Sequence, residues 1–247
     1  MFRMISKANA IRVLSCVMAT DGVISEEEKG KLAEIGDGLE VEMTDAFREE
    51  ISDFCILLAA KTNMDTEGTA VKDKLDKILS ERTDDVENGI MPRHLLWNML
   101  VIAGIDGEYS DSERVLIHHT AEVLGVEKNV LSEMEMMLKS AEASEKELDI
   151  LRVSTKPYVE VRPYVDEAEE RLKRIAEAAK ALIQDDVVRE IRDEGEREEP
   201  VDRSNFFADA GNKISDTAST VGGAVGGAVS GAASWVSSGV TGLLKKK

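Results

Sequence analysis

The sequence predicts an all-α protein: a helical bundle of about seven helices with an internal pseudo-twofold repeat, a long C-terminal helix and a Gly-rich tail helix. Three observations predict it. Apolar residues recur at three- and four-residue spacing, a helix-punctuating motif occurs twice, and segment 213–247 changes abruptly to Gly, Ala and Val. With 247 residues, 43% of them hydrophobic, the chain is long enough for one good core plus extensions.

The repeated motif joins an apolar segment to an amphipathic one. Residues 18–28 read MATDGVISEEE and residues 103–113 read AGIDGEYSDSE, an offset of 106 − 21 = 85 residues. At this offset several identical residues coincide: Asp21 and Asp106, Gly22 and Gly107, Ser25 and Ser110, Glu28 and Glu113, Leu39 and Leu124, Val41 and Val126. Such a repeat predicts a duplicated helical hairpin about a pseudo-twofold axis.

The motif has a structural and a functional interpretation. Asp-Gly ends a helix, and Ser-x-x-Glu starts the next one as a capping box. Alternatively, the carboxylates of Asp21, Glu28, Asp106 and Glu113 bind Ca²⁺ or another divalent cation. A true EF-hand is not expected, because both copies lack the first two loop carboxylates. Purely structural turns and a looser, shared acidic metal site both stay open.

These residues also carry a family resemblance. An apolar helix running into A-x-D-G-x-I-S-x-x-E, seen twice, resembles the TerB-like domain of tellurite resistance over residues 4–140. The second copy departs from the pattern, with Gly104 where Ala is usual and Tyr109 at the Ile position. The resemblance implies about seven helices with internal pseudo-symmetry, a divalent-cation site, and a role in stress or surface signalling without established catalysis.

Composition restricts partners and location. The net charge of −18 argues against nucleic acid as a partner, because nucleic-acid binding needs a basic surface. The cysteines, Cys16 and Cys55, each lie in an apolar helical stretch and predict buried free thiols in a reducing compartment. We therefore expect a cytoplasmic protein.

The apolar residues at three- and four-residue spacing indicate where the helices of the bundle lie. They predict helices over residues 4–20, 26–36, 45–60, 66–81, 92–104, 111–124 and 127–141. Ser25 and Thr44 cap the second and third, residues 36–38 close the second, and Pro92 suits the first turn of the fifth. The fifth helix is the most apolar, so we expect it to be central.

Residues 144–195 are predicted as linker and long amphipathic helix. Ser144 caps a short helix, the residues before Pro157 end it, and 158–162 form an extended linker. Pro163 then opens a helix over 163–195 with one apolar face, which packs on the bundle or forms a coiled coil with a second copy. The predicted domains are thus 1–143, 144–195, a flexible charged linker over 196–212, and the tail over 213–247.

The tail has a different composition from the body. No charged residue occurs between Thr217 and Leu244, and 221–244 as a helix would span ~36 Å, enough for a hydrocarbon core of ~30 Å. Two sets of residues are candidates for membrane binding or oligomerisation. The first is a ridge of small residues that lets helices approach closely: Gly222, Gly223, Gly226, Gly227 and Gly231. The second consists of residue types that favour the membrane–water interface: Trp235, Lys245, Lys246 and Lys247. The Val and Leu residues supply at most about −4 kcal/mol of insertion energy. A self-associating glycine zipper or shallow interfacial helix is favoured over a lone span, and a flexible Gly/Ser-rich tail is the alternative.

The sequence predicts a non-enzymatic scaffold or sensor, related to stress or the cell envelope and tethered to a membrane by its tail. Its expected partners are membrane lipid or a membrane protein, with homo-oligomers through the glycine zipper. No nucleophile elbow, phosphate-binding loop or metal triad argues for catalysis. The alternative is a self-assembling membrane-remodelling protein, in which the tail oligomerises and the acidic helical domain regulates it.

Overall fold

The computed structural model describes residues 4–63, 69–105 and 109–192, the last eight as backbone only. Within these ranges the protein is all-α, as predicted. The eight helices are α1 Lys7–Met18, α2 Glu26–Gly38, α3 Asp45–Thr62, α4 Thr69–Ser80, α5 Pro92–Ala103, α6 Asp111–Leu124, α7 Lys128–Arg152 and α8 Tyr158–Arg192. Two short strands, β1 Ile5–Ser6 and β2 Gly89–Ile90, pair antiparallel.

The first six helices lie close to their predicted positions, with two local differences. Helix α1 is shorter at its start, because Ile5 and Ser6 are extended in β1 and the Ser6 hydroxyl accepts a hydrogen bond from the Asn9 amide. Helix α2 ends at Gly38, within the predicted stop at residues 36–38 but two residues beyond the predicted end of the helix. Its reversal comes two residues later, at Glu40, which adopts a left-handed φ of 56°.

Three predictions for residues 144–195 are wrong. Helix α7 is continuous across residue 144, and Ser144 is buried inside it, its hydroxyl donating to the Ser140 carbonyl at 2.9 Å. The predicted linker at 158–162 is helical, and Pro163 is the sixth residue of α8 rather than its first. Tertiary packing outweighs local preference here, since Val161 is buried in the fold.

The long apolar stripe of α8 packs on the body. Its members are buried: Val161, Ala168, Leu172, Ile175, Ala179, Leu182 and Ile183. They lie mainly against α7, and α8 also contacts α5. A guanidinium N–H of buried Arg93 donates to the Leu182 carbonyl at 3.1 Å, which ties α8 to the start of α5. Of the two predicted uses of this stripe, packing on the bundle is the one observed.

A pseudo-twofold axis relates the two halves of the fold. Ile5 pairs directly with Ile90, its own counterpart at the 85-residue offset, so the axis passes between the two strands. Helices α1–α4, the first repeat, correspond to α5–α8, the second repeat. Helix α1 contacts each of α2, α3 and α4, and α5 contacts each of α6, α7 and α8. The contact of α1 with α5 joins the repeats at the centre of the core.

The correspondence extends to the reversal after α2 and α6. The Val41 amide donates to the Gly36 carbonyl at 2.9 Å, and the Val126 amide donates to the Ala121 carbonyl at the same distance. The left-handed residue between them is Gly125 in the second repeat, at φ 70°, but Glu40 in the first. A side chain with a Cβ is disfavoured in this conformation, so Glu40 carries backbone strain that Gly125 avoids.

Replacement of Glu40 by Gly should stabilise the protein by about 0.5–1 kcal/mol, because relief of strain exceeds the entropy that Gly adds to the unfolded chain. The Glu40 side chain is 81% exposed and 4.0 Å from Lys7, so the lost ion pair counts for little. Urea unfolding measures the change. Glu42→Gly is the matched control and should destabilise; equal effects of the two substitutions would contradict the strain.

The central helix α5 is buried along its whole length, including three polar residues, Arg93, His94 and Asn98. Among them His94 occupies the position that corresponds to Asn9 in α1. Burial, and secondarily the charge of Lys7, lowers the pKa of His94 to about 4 from 6.5. A neutral imidazole is therefore held inside the fold at pH values where the unfolded chain binds a proton.

Acidification from pH 6.5 to 4 should therefore destabilise the protein through His94. In that window the unfolded state takes up a proton that the folded state does not, so the free energy of unfolding falls as pH falls, by about 3 kcal/mol in total. His94→Asn, the residue found at the equivalent position, should flatten this slope. Unfolding curves of both proteins across the window test it, and parallel slopes would refute the assignment.

Candidate functional site

The first Asp-Gly turn is held by hydrogen bonds from its own residues and from α3. A carboxylate oxygen of Asp21 accepts from the Val23 amide at 2.8 Å, and Gly22 adopts a φ of 79°. The side-chain amide of Asn63 donates to the Gly22 carbonyl at 3.2 Å, and a Cβ at Gly22 would collide with that side chain. Glycine is therefore required here both by conformation and by space.

Both predicted capping boxes are present. One carboxylate oxygen of Glu28 accepts from the Ser25 amide at 2.7 Å, and one of Glu113 accepts from the Ser110 amide at 2.8 Å. In return each serine hydroxyl accepts from the amide of its glutamate. Both glutamates are buried, so these carboxylates serve the starts of α2 and α6.

The predicted cation ligands are only partly within the described structure. Asp21 and Glu28 flank the first turn, Glu113 starts α6, and Asp106 lies outside the described residues. Across residues 4–63, 69–105 and 109–192, no group of three or more His, Cys, Asp or Glu side chains could hold a metal ion. The divalent-cation site stays a prediction.

The predicted membrane and oligomerisation residues lie outside the described residues altogether: Gly222, Gly223, Gly226, Gly227, Gly231, Trp235, Lys245, Lys246 and Lys247. Among the helices that the structure describes, none is both long and apolar enough to cross a membrane. The predicted free thiols are confirmed, since Cys16 and Cys55 are both buried and unpaired. The role assigned to the tail therefore stays a prediction.

The two repeats differ in how their second and third helices meet. In the second repeat α6 packs against α7, and Glu135 of α7 accepts a hydrogen bond from the Tyr109 hydroxyl at 3.0 Å. The same oxygen of Glu135 lies 3.1 Å from the ring Nε2 of His118. Burial, and then Glu135, raises the pKa of Tyr109, so this hydroxyl remains a donor. Glu135 of α7 thus links to both Tyr109, just before α6, and His118 within α6.

Smaller residues occupy the equivalent positions in the first repeat. At the 85-residue offset Tyr109 and His118 correspond to Ile24 and Ala33. Between α3 and α7 the offset is 128 − 45 = 83, which aligns Glu135 with Ser52. Buried residues support this alignment, because Ile51, Cys55 and Leu58 fall on Met134, Leu138 and Ala141. The facing positions of α2 and α3 therefore lack the tyrosine, histidine and glutamate that link α6 to α7.

An open apolar groove lies between α2 and α3 as a result. It has a volume of about 430 Å³, and Ile24, Ala33 and Ser52 all line it. The other lining residues are Met18, Lys29, Leu32, Met43, Arg48, Ile51, Cys55 and Ile56. The side chains of Ile56 and its neighbour Leu57 on α3 are 63% and 58% exposed. We call this surface the α2–α3 groove.

The chemistry of the α2–α3 groove favours binding over catalysis. Its nucleophile, Cys55, has a pKa raised by burial, which keeps the thiol protonated and unreactive near neutral pH. Lys29 and Arg48 are its charged members, and both already have partners: Lys29 pairs with Glu26, and Arg48 donates to the Met43 carbonyl. Sequence reasoning missed this surface, although the Ile24-to-Tyr109 difference between the repeats was a signal of it.

The structural role of Glu28 can be separated from ion binding. Glu28→Ala should cost about 1 kcal/mol, because the Ser25 amide loses its acceptor, whereas Glu28→Gln should change stability little, since an amide oxygen still accepts. Urea unfolding with and without Ca²⁺ measures both effects. Glu27→Ala, at an exposed neighbouring position, is the control. Equal destabilisation by Ala and Gln would contradict the capping role.

Comparison of the chain with protein-family models, curated proteins and solved structures finds no match. The resemblance to TerB-like domains stays a prediction, carried by the residues of the two Asp-Gly turns.

Proposed function

We propose that the protein is a non-enzymatic scaffold or sensor of TerB-like type, held at a membrane by its C-terminal tail. One observation carries the binding role: the body, in a chain of net charge −18, presents an open apolar groove between α2 and α3. An exposed apolar surface rimmed by polar residues is typical of an interaction site rather than of a catalytic one. A cytoplasmic location fits the two free, buried thiols.

The composition of the tail supports the membrane role. It has no charge between Thr217 and Leu244, and three consecutive lysines follow. Such lysines favour an anionic leaflet by about 1 kcal/mol each, and Trp235 suits the interface. Since seven glycines and four serines in 221–244 weaken insertion, a shallow or self-associated helix is the preferred form of attachment.

A divalent cation is the proposed ligand of the acidic turns, with Ca²⁺ as the first candidate. The support is the duplicated acidic motif, with Asp21 and Glu28 in one copy and Asp106 and Glu113 in the other. Because one oxygen of each of the Glu28 and Glu113 carboxylates already accepts a backbone hydrogen bond, a bound ion would share these carboxylates with the helix starts. Alanine at all four positions should then abolish Ca²⁺ affinity measured by calorimetry.

The second candidate function is self-assembly that remodels a membrane, with the acidic body as its regulator. The feature that favours it is the ridge of glycines at four-residue spacing, such as Gly222 and Gly226, which lets helix backbones approach closely. In this case Gly226→Leu together with Gly227→Leu would abolish oligomers and remodelling together, whereas a tail attached as a shallow helix under the first proposal would stay attached.

The full chain should float with anionic liposomes, whereas a truncation ending at Asn212, which keeps all eight described helices, should not. Loss of the apolar segment and three lysines removes both the hydrophobic and the electrostatic attraction. Flotation on neutral and anionic lipid, with and without Ca²⁺, is the measurement. Replacement of the three lysines by Glu is the charge control and should reduce binding selectively on anionic lipid. Equal flotation of full chain and truncation would rule out the tail as the anchor.

A further inference from the structure

We propose that the α2–α3 groove is the docking site for the tail of the same chain, so that the tail exchanges between the groove and the membrane. This inference rests on the proposed function, because it assigns a second binding site to the segment that is proposed as the anchor. It makes the body a regulator of attachment: a docked tail is withheld from lipid, and lipid draws it out.

The comparison between the repeats indicates a missing occupant. Between α6 and α7, Tyr109 and His118 each form a hydrogen bond with the same carboxylate oxygen of Glu135. In the first repeat their counterparts are too small to meet, and the groove walls are the apolar side chains of residues such as Leu32, Ile51 and Ile56. A helix laid between α2 and α3 would cover surface that the second repeat covers from within.

The tail can reach the groove from anywhere on the body. The described part of α8 ends at Arg192, and 28 residues, 193–220, separate it from the apolar segment that begins at Val221. Fully extended they cover up to ~90 Å at ~3.3 Å per residue. The longest described helix, α8, has 35 residues and spans ~50 Å at ~1.5 Å per residue. The linker length therefore allows docking within one chain.

The size and pattern of the tail fit the groove. Val221, Val225 and Val229 are spaced by four residues, which on a helix makes a single apolar stripe, and the intervening glycines allow close approach. As a helix, residues 221–236 would be ~24 Å long, close to the ~27 Å of the 18-residue α3. Met18 and Met43 in the lining are flexible enough to adjust to a small-residue helix.

Charge also favours the tail over other segments of the chain. The exposed side of α3 carries Asp45, Glu49 and Asp53 at four-residue spacing, and the tail ends in three lysines. From Thr217 to the end the tail has no carboxylate, whereas residues 193–203 contain six. The tail is thus the part of the chain outside the described residues that an acidic body attracts rather than repels.

A reporter thiol in the full-length chain tests the docking. Ser52 is exposed on α3 and lines the groove, so Ser52→Cys places a thiol where a docked tail would cover it. Ser140→Cys, exposed on α7, is the matched control outside the groove. Native Cys16 is buried, with a pKa raised to about 12 by burial, and serves as an unreactive internal standard. Alkylation by N-ethylmaleimide is followed at each site by mass spectrometry of peptides.

Disrupting the apolar stripe should expose the reporter. Val225→Asp with Val229→Asp should speed alkylation of the Ser52→Cys thiol about tenfold, which corresponds to a tail docked about nine-tenths of the time. Ser237→Asp with Ser238→Asp, the same added charge outside the docked segment, should leave the rate unchanged. The Ser140→Cys thiol should react at one rate in every variant. No acceleration with the two valine substitutions would overturn the inference.

Dilution and lipid distinguish the other outcomes. Protection that is independent of protein concentration supports docking within one chain, and protection lost on dilution would overturn it in favour of the tail of a second copy. Vesicles of phosphatidylserine and phosphatidylcholine should speed alkylation of the Ser52→Cys thiol in the otherwise unchanged chain. If the chain floats with these vesicles but its alkylation rate does not rise, the exchange fails while the anchor stands. If the chain does not float, the proposed anchor fails. Docking is then tested by the alkylation rate of the Ser52→Cys thiol in the valine variants alone.

Discussion

The packing of α1 against α5 about the pseudo-twofold axis is the contact on which the rest of the structure depends. The axis is fixed by β1 and β2, where Ile5 faces its own counterpart Ile90. Each central helix contacts the three other helices of its own repeat. In addition, α1 contacts α6 and α5 contacts α2 across the two repeats. This crossing joins the halves into one core, so the imidazole of His94 on α5 is held neutral inside it.

Features that depend on neighbouring residues could be predicted from the sequence. Both capping boxes, the Asp-Gly turn at Gly22 and the buried free thiols follow from local chemistry or from apolar stripes, and all are observed. Features that depend on packing between distant segments were missed. The β1–β2 pair joins segments 85 residues apart, and α8 begins in a stretch rich in valine and tyrosine that local preference assigns to an extended chain.

The candidate site illustrates the same limit. The identical residues of the repeat predicted capped turns with a cation site as the alternative, and among them Glu28 and Glu113 serve helix starts, an identical task in each half. The groove arises instead where the repeats differ, at Ile24, Ala33 and Ser52. Sequence comparison aligns only the first two of these with the second repeat, because the offset changes from 85 to 83 residues between α2 and α3. The correspondence of Ser52 with Glu135 is recognised only from the bounds of α3 and α7 in the structure.

The open groove of the first repeat has an energetic consequence for the tail. Covering the exposed side chain of Ile56 would contribute at most about 1.5–3 kcal/mol, before the entropy of ordering the tail is subtracted. Three lysines at an anionic leaflet contribute about 1 kcal/mol each, and seven glycines and four serines keep the insertion of 221–244 marginal. These two sums are of the same size. If the tail exchanges between the groove and the membrane as proposed, neither site dominates, and a modest change in leaflet charge would be enough to move it, as the proposed sensor role requires.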